Sequence, residues 1–291
     1  MRALLNRIPK PLKLLLPCML TLYALIGLGV FSALFDTVKH LDDSISIFSS
    51  SDFYKSLGLS LRLATASTLS ACMLGLVIIF CLFMLSIKET KPISGLINRA
   101  FQAPMLVPYI VAGYLVFLTF GQSGLISRIL YHAGVIDSIS SFPVLTNDLG
   151  GLGIVIAFVW KTTPFVILML YPAMLSLDVK YLEMAQMFGL GPVRYYFHVI
   201  IPHMMSTIVF SGFIVFAYTL TSFEIPYMLG ATYPKTLSVS AYQLYTGGSL
   251  NERYEALTMS LILFIISIVL GYFAFKQSTA HQNHLKGGQS E

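Results

Sequence analysis

Three ionisable residues fall inside long apolar stretches of the sequence: Arg62, Lys161 and Glu224. Charge is costly in such surroundings, and residues kept there despite the cost tend to carry function. Lys161 stands in FVWKTTPF beside Thr162 and Thr163. Glu224 stands in TSFEIPYMLG, after Thr219, Thr221 and Ser222 and two residues before Pro226. Two chemistries are open to Lys161 and Glu224. They could pair as an ionic glue between helices, or they could line a polar route through the apolar interior with the threonines as neighbours. A proline this close would interrupt the helix at Glu224–Pro226 and leave backbone groups free to meet a solute. Arg62 lies near one end of its stretch, close enough to carry its guanidinium out to the interface.

Other chemistry finds little support in the order of residues. His40, His132, His198, His203, His281 and His284 make no ligand-spaced set with carboxylates. His281 and His284 are three apart, but in a polar tail read as disordered. No Ser–His–Asp arrangement or carboxylate pair stands out, and Cys18, Cys72 and Cys81 read as buried thiols within apolar runs. There is no GxxxxGK[ST] phosphate loop and no soluble block large enough for a nucleotide-binding domain. The chain therefore reads as a non-enzyme with no cofactor of its own. No run of Lys and Arg interleaved with aromatics suggests nucleic acid.

The elements that position these residues are membrane spans. Of 291 residues, 11% are charged and 56% hydrophobic, whereas a soluble domain carries about 25% charged residues. Crossing a bilayer takes about 20 mostly apolar residues. Six stretches qualify: Leu14–Phe35, Leu57–Ile87, Phe101–Phe120, Gly151–Leu175, Met204–Leu229 and Ala256–Phe275. The first follows Arg2, Arg7, Lys10 and Lys13, but its apolar run is too long for a secretory signal and no small-residue cleavage site follows. Pro17, Pro104, Pro108, Pro164 and Pro226 fall inside spans, and Pro104 and Pro108 bend one face of the third. Such breaks favour a bundle with an internal pathway.

Cations set the orientation. Arg2, Arg7, Lys10, Lys13, Lys88, Lys91, Arg99, Lys180, Arg194, Lys276 and Lys286 fall on one side, and Lys39, Lys55, Arg128, Lys235 and Arg253 on the other. The richer side is cytoplasmic, so both termini are expected there. The connections at 36–56, 121–150 and 230–255 are then exterior, the last with the polar turn YTGGSLNERYE.

One cytoplasmic segment breaks the pattern: EMAQMFGLGPVRYYFHVIIP, residues 183–202. Leu182 to Met187 are good helix formers. Gly189 can adopt the left-handed cap, and Pro192 suits the first position of a new helix. In that second helix Tyr196, Val199 and Ile200 share one face and Arg194 and His198 another, before Pro202 opens the fifth span. The elbow could lie in the headgroup layer, anchored by its tyrosines. Alternatively, with Met187 and Phe188 at its tip, it could dock as a knob in a groove on another protein.

The segment resembles the EAA loop of binding-protein-dependent ABC importer permeases, the type I or MetI-like transmembrane family. In that family a glutamate and an alanine are followed by a glycine six residues after the glutamate, then a hydrophobic residue, an isoleucine and a proline 19 residues after it. Glu183, Ala185, Gly189, Phe197, Ile200 and Pro202 match those positions, and Met184 and Ile201 depart from the commoner alanine and leucine without changing the spacing. SLGLSLRLATASTLSACMLGL resembles the start of the family core, and FQAPMLVPYIVAGY its proline-bearing third span. The resemblance implies an all-α membrane protein of six transmembrane helices, a five-helix permease core at 57–275 with its coupling loop at 181–202. Ahead of the core, 1–56 would hold a cytoplasmic tail, an added span and an exterior loop; 276–291 would be a cytoplasmic tail.

By the same resemblance, the function is a permease subunit of an ABC importer in the inner membrane. Glu183, Ala185, Met187, Phe188, Gly189, Phe197, Ile200 and Pro202 would form the ATPase-coupling site. Lys161, Thr162, Glu224 and Pro226 would belong to the translocation pathway. Implied partners are ABC ATPase subunits that bind the ATP, a second and non-identical permease, an extracytoplasmic solute-binding protein and the lipid bilayer. SFEIPYMLGATYP is similar to a variant found in polyamine permeases, although ferric-iron, sulfate and phosphonate importers are close relatives. A free Lys161 would oppose a polycation unless Glu224 neutralised it. The competing reading from another class is an ion-gradient-driven secondary transporter with Glu224 as its proton site.

Overall fold

The computed structural model describes residues 10–88, 101–177 and 179–287. Arg2, Arg7, Lys91 and Arg99, used above for orientation, lie outside the described residues. Every regular element among those described is helical: α1 (Lys10–Lys39), α2 (Leu41–Ser46), α3 (Ser51–Lys88), α4 (Tyr109–Phe120), α5 (Leu125–His132), α6 (Leu152–Leu175), α7 (Val179–Met187), α8 (Pro192–Tyr195), α9 (Ile201–Thr221), α10 (Glu224–Leu229), α11 (Leu237–Gly247) and α12 (Leu250–Gly287), with short tight turns between. Six helical segments are long and apolar enough to cross a membrane, the number expected. Their outward faces carry large apolar side chains such as Leu28, Phe31, Leu69, Met73 and Val77, as suits helices solvated by lipid.

α6 is the hub. It is the most buried span, and it packs against α3, α9, α4 and α10. Close approach of α3 is possible because Gly75 faces Val166, where an added Cβ would stand 2.8 Å from Val166 Cγ1. Small residues at such contacts are how membrane helices gain dispersion energy without a hydrophobic drive between them. Three buried clusters fill the bundle from end to end. One holds Ile79, Ile167, Leu170, Tyr196 and Met204 near the elbow; a second holds Leu63, Phe158, Ile225 and Leu229; a third holds Ile47, Phe53, Leu220, Leu237 and Met259. α1 lies at the bundle margin, where it meets α12 and α2.

Several expectations need correction. The third span is two pieces, a helical stretch at 101–106 and α4, separated by a break at Val107 and Pro108. Proline has no N–H, so it cannot complete the bond to the carbonyl four residues earlier. The fifth span breaks at Ser222, whose backbone is extended, so Glu224 begins a separate short helix and the interruption precedes Glu224–Pro226. The 230–255 connection contains α11, and α12 begins at Leu250. Ser249 and Glu252 form a reciprocal capping box there, the Glu252 carboxylate accepting from the Ser249 N–H at 2.5 Å. α12 also runs on through the tail to Gly287, because Gln, Ala, His, Leu and Lys sustain a helix until the glycines at its end. Cys81 is exposed on the bundle surface, not buried. Arg62 donates to the carbonyls of Leu149 and Gly150, in the 121–150 connection, at 3.3 and 3.1 Å.

Candidate functional site

The elbow has the turn expected at Gly189. α7 ends in a Schellman turn: Gly189 has φ +79°, its N–H donates to the Gln186 carbonyl at 2.9 Å, and the Leu190 N–H donates to the Ala185 carbonyl at 2.9 Å. Pro192 then opens α8 as expected. The second half differs. α8 is not a free-standing amphipathic helix but passes into α9 through a five-residue π turn, Tyr196–Ile200, closed by the Ile201 N–H on the Tyr196 carbonyl. Pro202 supplies the cause. It removes a donor and crowds the carbonyl of His198, and a wider turn accommodates both.

The tip of this elbow is bare. Met187 and Phe188 are 85% and 87% exposed, and Met184, Glu183 and Phe197 are also exposed. Ala185 is half-buried, Ile200 is buried against the first cluster, and Pro202 is exposed. Beneath the tip the elbow is fastened at two points that the sequence did not announce. The buried Tyr196 donates its hydroxyl to the Leu76 carbonyl of α3 at 2.7 Å, with its ring against Phe80 and Phe83. His203 Nε2 lies 3.0 Å from the Ser176 hydroxyl, which itself donates to the Ala173 carbonyl, so the imidazole is the donor. That bond ties the start of α9 to the end of α6.

The second candidate site lies at the break in the third span. Lys161 is 3% exposed and does not pair with Glu224. Its ammonium donates to the carbonyls of Pro104 at 2.6 Å, Met105 at 3.0 Å and Val107. It also stands 4.9 Å from the centroid of the Tyr109 ring. A helix end leaves its last carbonyls without intrahelical partners, and in a bilayer these must be met by protein. Lys161 meets them. Sequence order could show an unpaired lysine and two prolines but not that one answered the other, since they are more than fifty residues apart.

Beside this latch is a cavity of about 220 Å³ lined by Met105, Tyr109, Lys161, Thr162, Phe165 and Tyr218, among others. Thr162 spends its hydroxyl on the Phe158 carbonyl of its own helix at 2.8 Å. The rings of Tyr109 and Tyr218 meet at the cavity with centroids 4.6 Å apart, tilted by 37°. Glu224 is exposed and within electrostatic range of both tyrosines. Pro226 is buried and lines a different cleft, of about 360 Å³, with Asp148, Tyr227 and Lys235. Of the four residues read as one pathway, Lys161 and Thr162 line the first cavity and Pro226 the second cleft, while Glu224 lines neither; Tyr109 and Tyr218, absent from that reading, line the first cavity beside Lys161. The only signal for Tyr109 was its place after Pro108.

The protein family described as "binding-protein-dependent transport system inner membrane component" matches residues 71–280. The molybdenum transport system permease protein ModB of Azotobacter vinelandii is 23% identical over 224 residues, which cover 76% of this chain and 93% of that one. A probable sulfate transport system permease protein, cysT, of Prototheca wickerhamii is 22% identical over 251 residues, covering 86% and 90%. Among solved structures, one chain of a bacterial alginate ABC transporter, in complex with an alginate pentasaccharide-bound periplasmic protein, superimposes with a TM-score of 0.74 at 16% identity, over 90% of this chain and 91% of that one. A chain of the inward-facing MetNI methionine ABC transporter gives 0.56 at 13% identity, over 78% and 94%.

Proposed function

We propose a working cycle from one premise: this chain belongs to the family of binding-protein-dependent transport system inner membrane components, and it is a multi-pass permease subunit of an ABC importer in the inner membrane. Two ABC ATPase subunits bind and hydrolyse the ATP, a second, non-identical permease completes the pathway, and an external binding protein delivers the solute, a small molecule of the polyamine class. Both termini and the elbow face the cytoplasm.

The elbow is the coupling element. The observation that carries this reading is a rigid turn that puts two large apolar side chains, Met187 and Phe188, almost wholly into solvent beyond a fastened base. Exposed apolar side chains on a short helix suit a groove on a partner, and Glu183 adds an exposed carboxylate for a partner's cation. ATP-driven closure of the ATPase pair pushes the elbow. The push passes through Tyr196 to α3 and through His203 and Ser176 to α6, and the cavity beside Lys161 changes its access.

The test is a Met187→Cys variant lacking Cys18, Cys72 and Cys81, cross-linked in native membranes with and without ATP analogues. A nucleotide-sensitive adduct to a P-loop ATPase is the expected product. An elbow that reacts only with lipid-borne reagents, with no ATPase joined, rejects the coupling role and brings a gradient-driven transporter forward.

A further inference from the structure

We propose that the end of the third span remote from the elbow holds a phospholipid, its phosphate met by Arg128 and an acyl chain lying along α4. The inference needs only that α4 stands in the bilayer, and it goes beyond the importer cycle without depending on it.

The site is a cleft of about 730 Å³ between the end of α4, the turn that follows and the start of α5, within the size range of ligand clefts. Leu115 and Leu118 of α4 and Leu125 of α5 line it, all three exposed. Its polar lining, Gln122, Arg128 and Asn147, gathers about the turn Gly121–Gly124. At 1.5 Å per residue, Leu118 and Leu115 lie about 5 and 9 Å deeper along α4 than Gly121. The cleft therefore passes from polar to apolar with depth, as a lipid does from headgroup to chain.

Arg128 supplies the charge. Its Nε–H donates to the Ser123 carbonyl at 3.1 Å, which fixes the guanidinium on the turn. No described carboxylate forms an ion pair with it, and its Nη groups have no partner among the described residues. A guanidinium presents parallel N–H donors that fit two phosphate oxygens. Gln122 steadies the rim by donating to the Ser140 carbonyl at 3.4 Å. The lining of α5 sets the depth. Leu125 and Ile129 are exposed and share a face by i, i+4 spacing, with Tyr131 exposed beside them. A short amphipathic helix edged by arginine and tyrosine lies in the headgroup layer. The mouth of the cleft then stands at the level of the lipid phosphates and its floor among the chains. Free phosphate would gain the guanidinium but not the apolar wall.

Lipid titration of the assembled transporter, followed by native mass spectrometry, tests this. The transporter is stripped of lipid in detergent and titrated with dioleoylphosphatidylglycerol, with dioleoylglycerol, which lacks the phosphate, and with inorganic phosphate. One phospholipid per copy of this chain should bind, about 10–100-fold more weakly in Arg128→Gln, from the loss of charge-assisted hydrogen bonds. Arg128→Lys should keep part of the affinity, since the charge remains without the fork. Leu118→Trp should weaken the phospholipid by filling the apolar wall. Equal affinity in Arg128→Gln, or dioleoylglycerol or inorganic phosphate binding as tightly as the phospholipid, overturns the assignment. A benzophenone maleimide on Leu115→Cys, in a background free of Cys18, Cys72 and Cys81, reports the occupant in native membranes. A phospholipid adduct is the expected product, and an adduct to another protein subunit in its place overturns the site. None of these readouts uses ATP, so failure of the coupling cycle and failure of the lipid site are separate results.

Discussion

Lys161→Met should destabilise the protein before it alters any property of transport. The substitution keeps the length and apolar stem of the side chain and removes only the ammonium. The carbonyls of Pro104, Met105 and Val107 then lose their donor, and Pro104 has no alternative because the residue four ahead is Pro108. Each buried polar group left without a partner costs about 1–3 kcal/mol. Sparing the desolvation of a buried ammonium returns several kcal/mol of that, so the net loss should be roughly 2–4 kcal/mol. By the scaling of soluble domains this lowers Tm by about 5–12 °C, measured by thermal unfolding of the purified transporter. In Lys161→Ala, free methylammonium should recover part of the loss, since the vacated space keeps its three acceptors. A Lys161→Met protein that unfolds within about 2 °C of the parent, on the same scaling, yet takes up no solute, would refute the latch and return Lys161 to the pathway lining.

Two further substitutions probe the helices that would carry force in the proposed cycle. Gly75→Ala should cost about 1–3 kcal/mol by overpacking, because its Cβ would stand 2.8 Å from Val166 Cγ1; Val166→Ala in the same chain should restore much of this, and simple additivity in Tm would disprove the contact. Gly189→Ala places an L-residue in the left-handed region at about 1–2 kcal/mol, with nothing within 4 Å for the Cβ to strike. Hydrogen exchange of the Leu190 amide should accordingly rise about 5–30-fold, and an unchanged rate would mean that the turn is not held by Gly189.

The spans and the first bend of the elbow were legible because each depends on local signals. Apolar length marked six crossings, and Gly189 followed by Pro192 marked a cap and a restart. What escaped was decided between distant residues. For Lys161 the sequence offered a partner in Glu224 or a place in a pathway, whereas the bond acceptors that matter are backbone carbonyls, which every sequence has everywhere. The π turn at Tyr196–Ile200 followed from Pro202, read as a boundary when it was a local widening. α11 was hidden by its polarity, since the serines and tyrosines of LSVSAYQLYTG carry no clear apolar stripe. The start of α12, by contrast, could have been found from Ser249 and Glu252 alone.

The two candidate sites share their helices, which in the proposed cycle would let one act on the other. α6 carries Lys161, Thr162 and Phe165 at the cavity and ends at Ser176 beneath the elbow. α9 begins with His203 at that same fastening and carries Ile214, Val215 and Tyr218 to the cavity. At 1.5 Å per residue the distances are about 16 Å along α6 from Phe165 and about 22 Å along α9 from Tyr218. Between them the packed cluster of Ile167, Leu170, Met174 and Met204 leaves no soft layer to absorb a displacement. The helices that meet α6 and α9 at the cavity are broken ones: the stretch at 101–106 is held by Lys161, and α10 is joined to α9 through one extended residue, Ser222. In the proposed cycle a push on the elbow would move two stiff levers together, and their relative motion would be taken up at the two breaks, where the lysine latch and the Glu224 carboxylate lie.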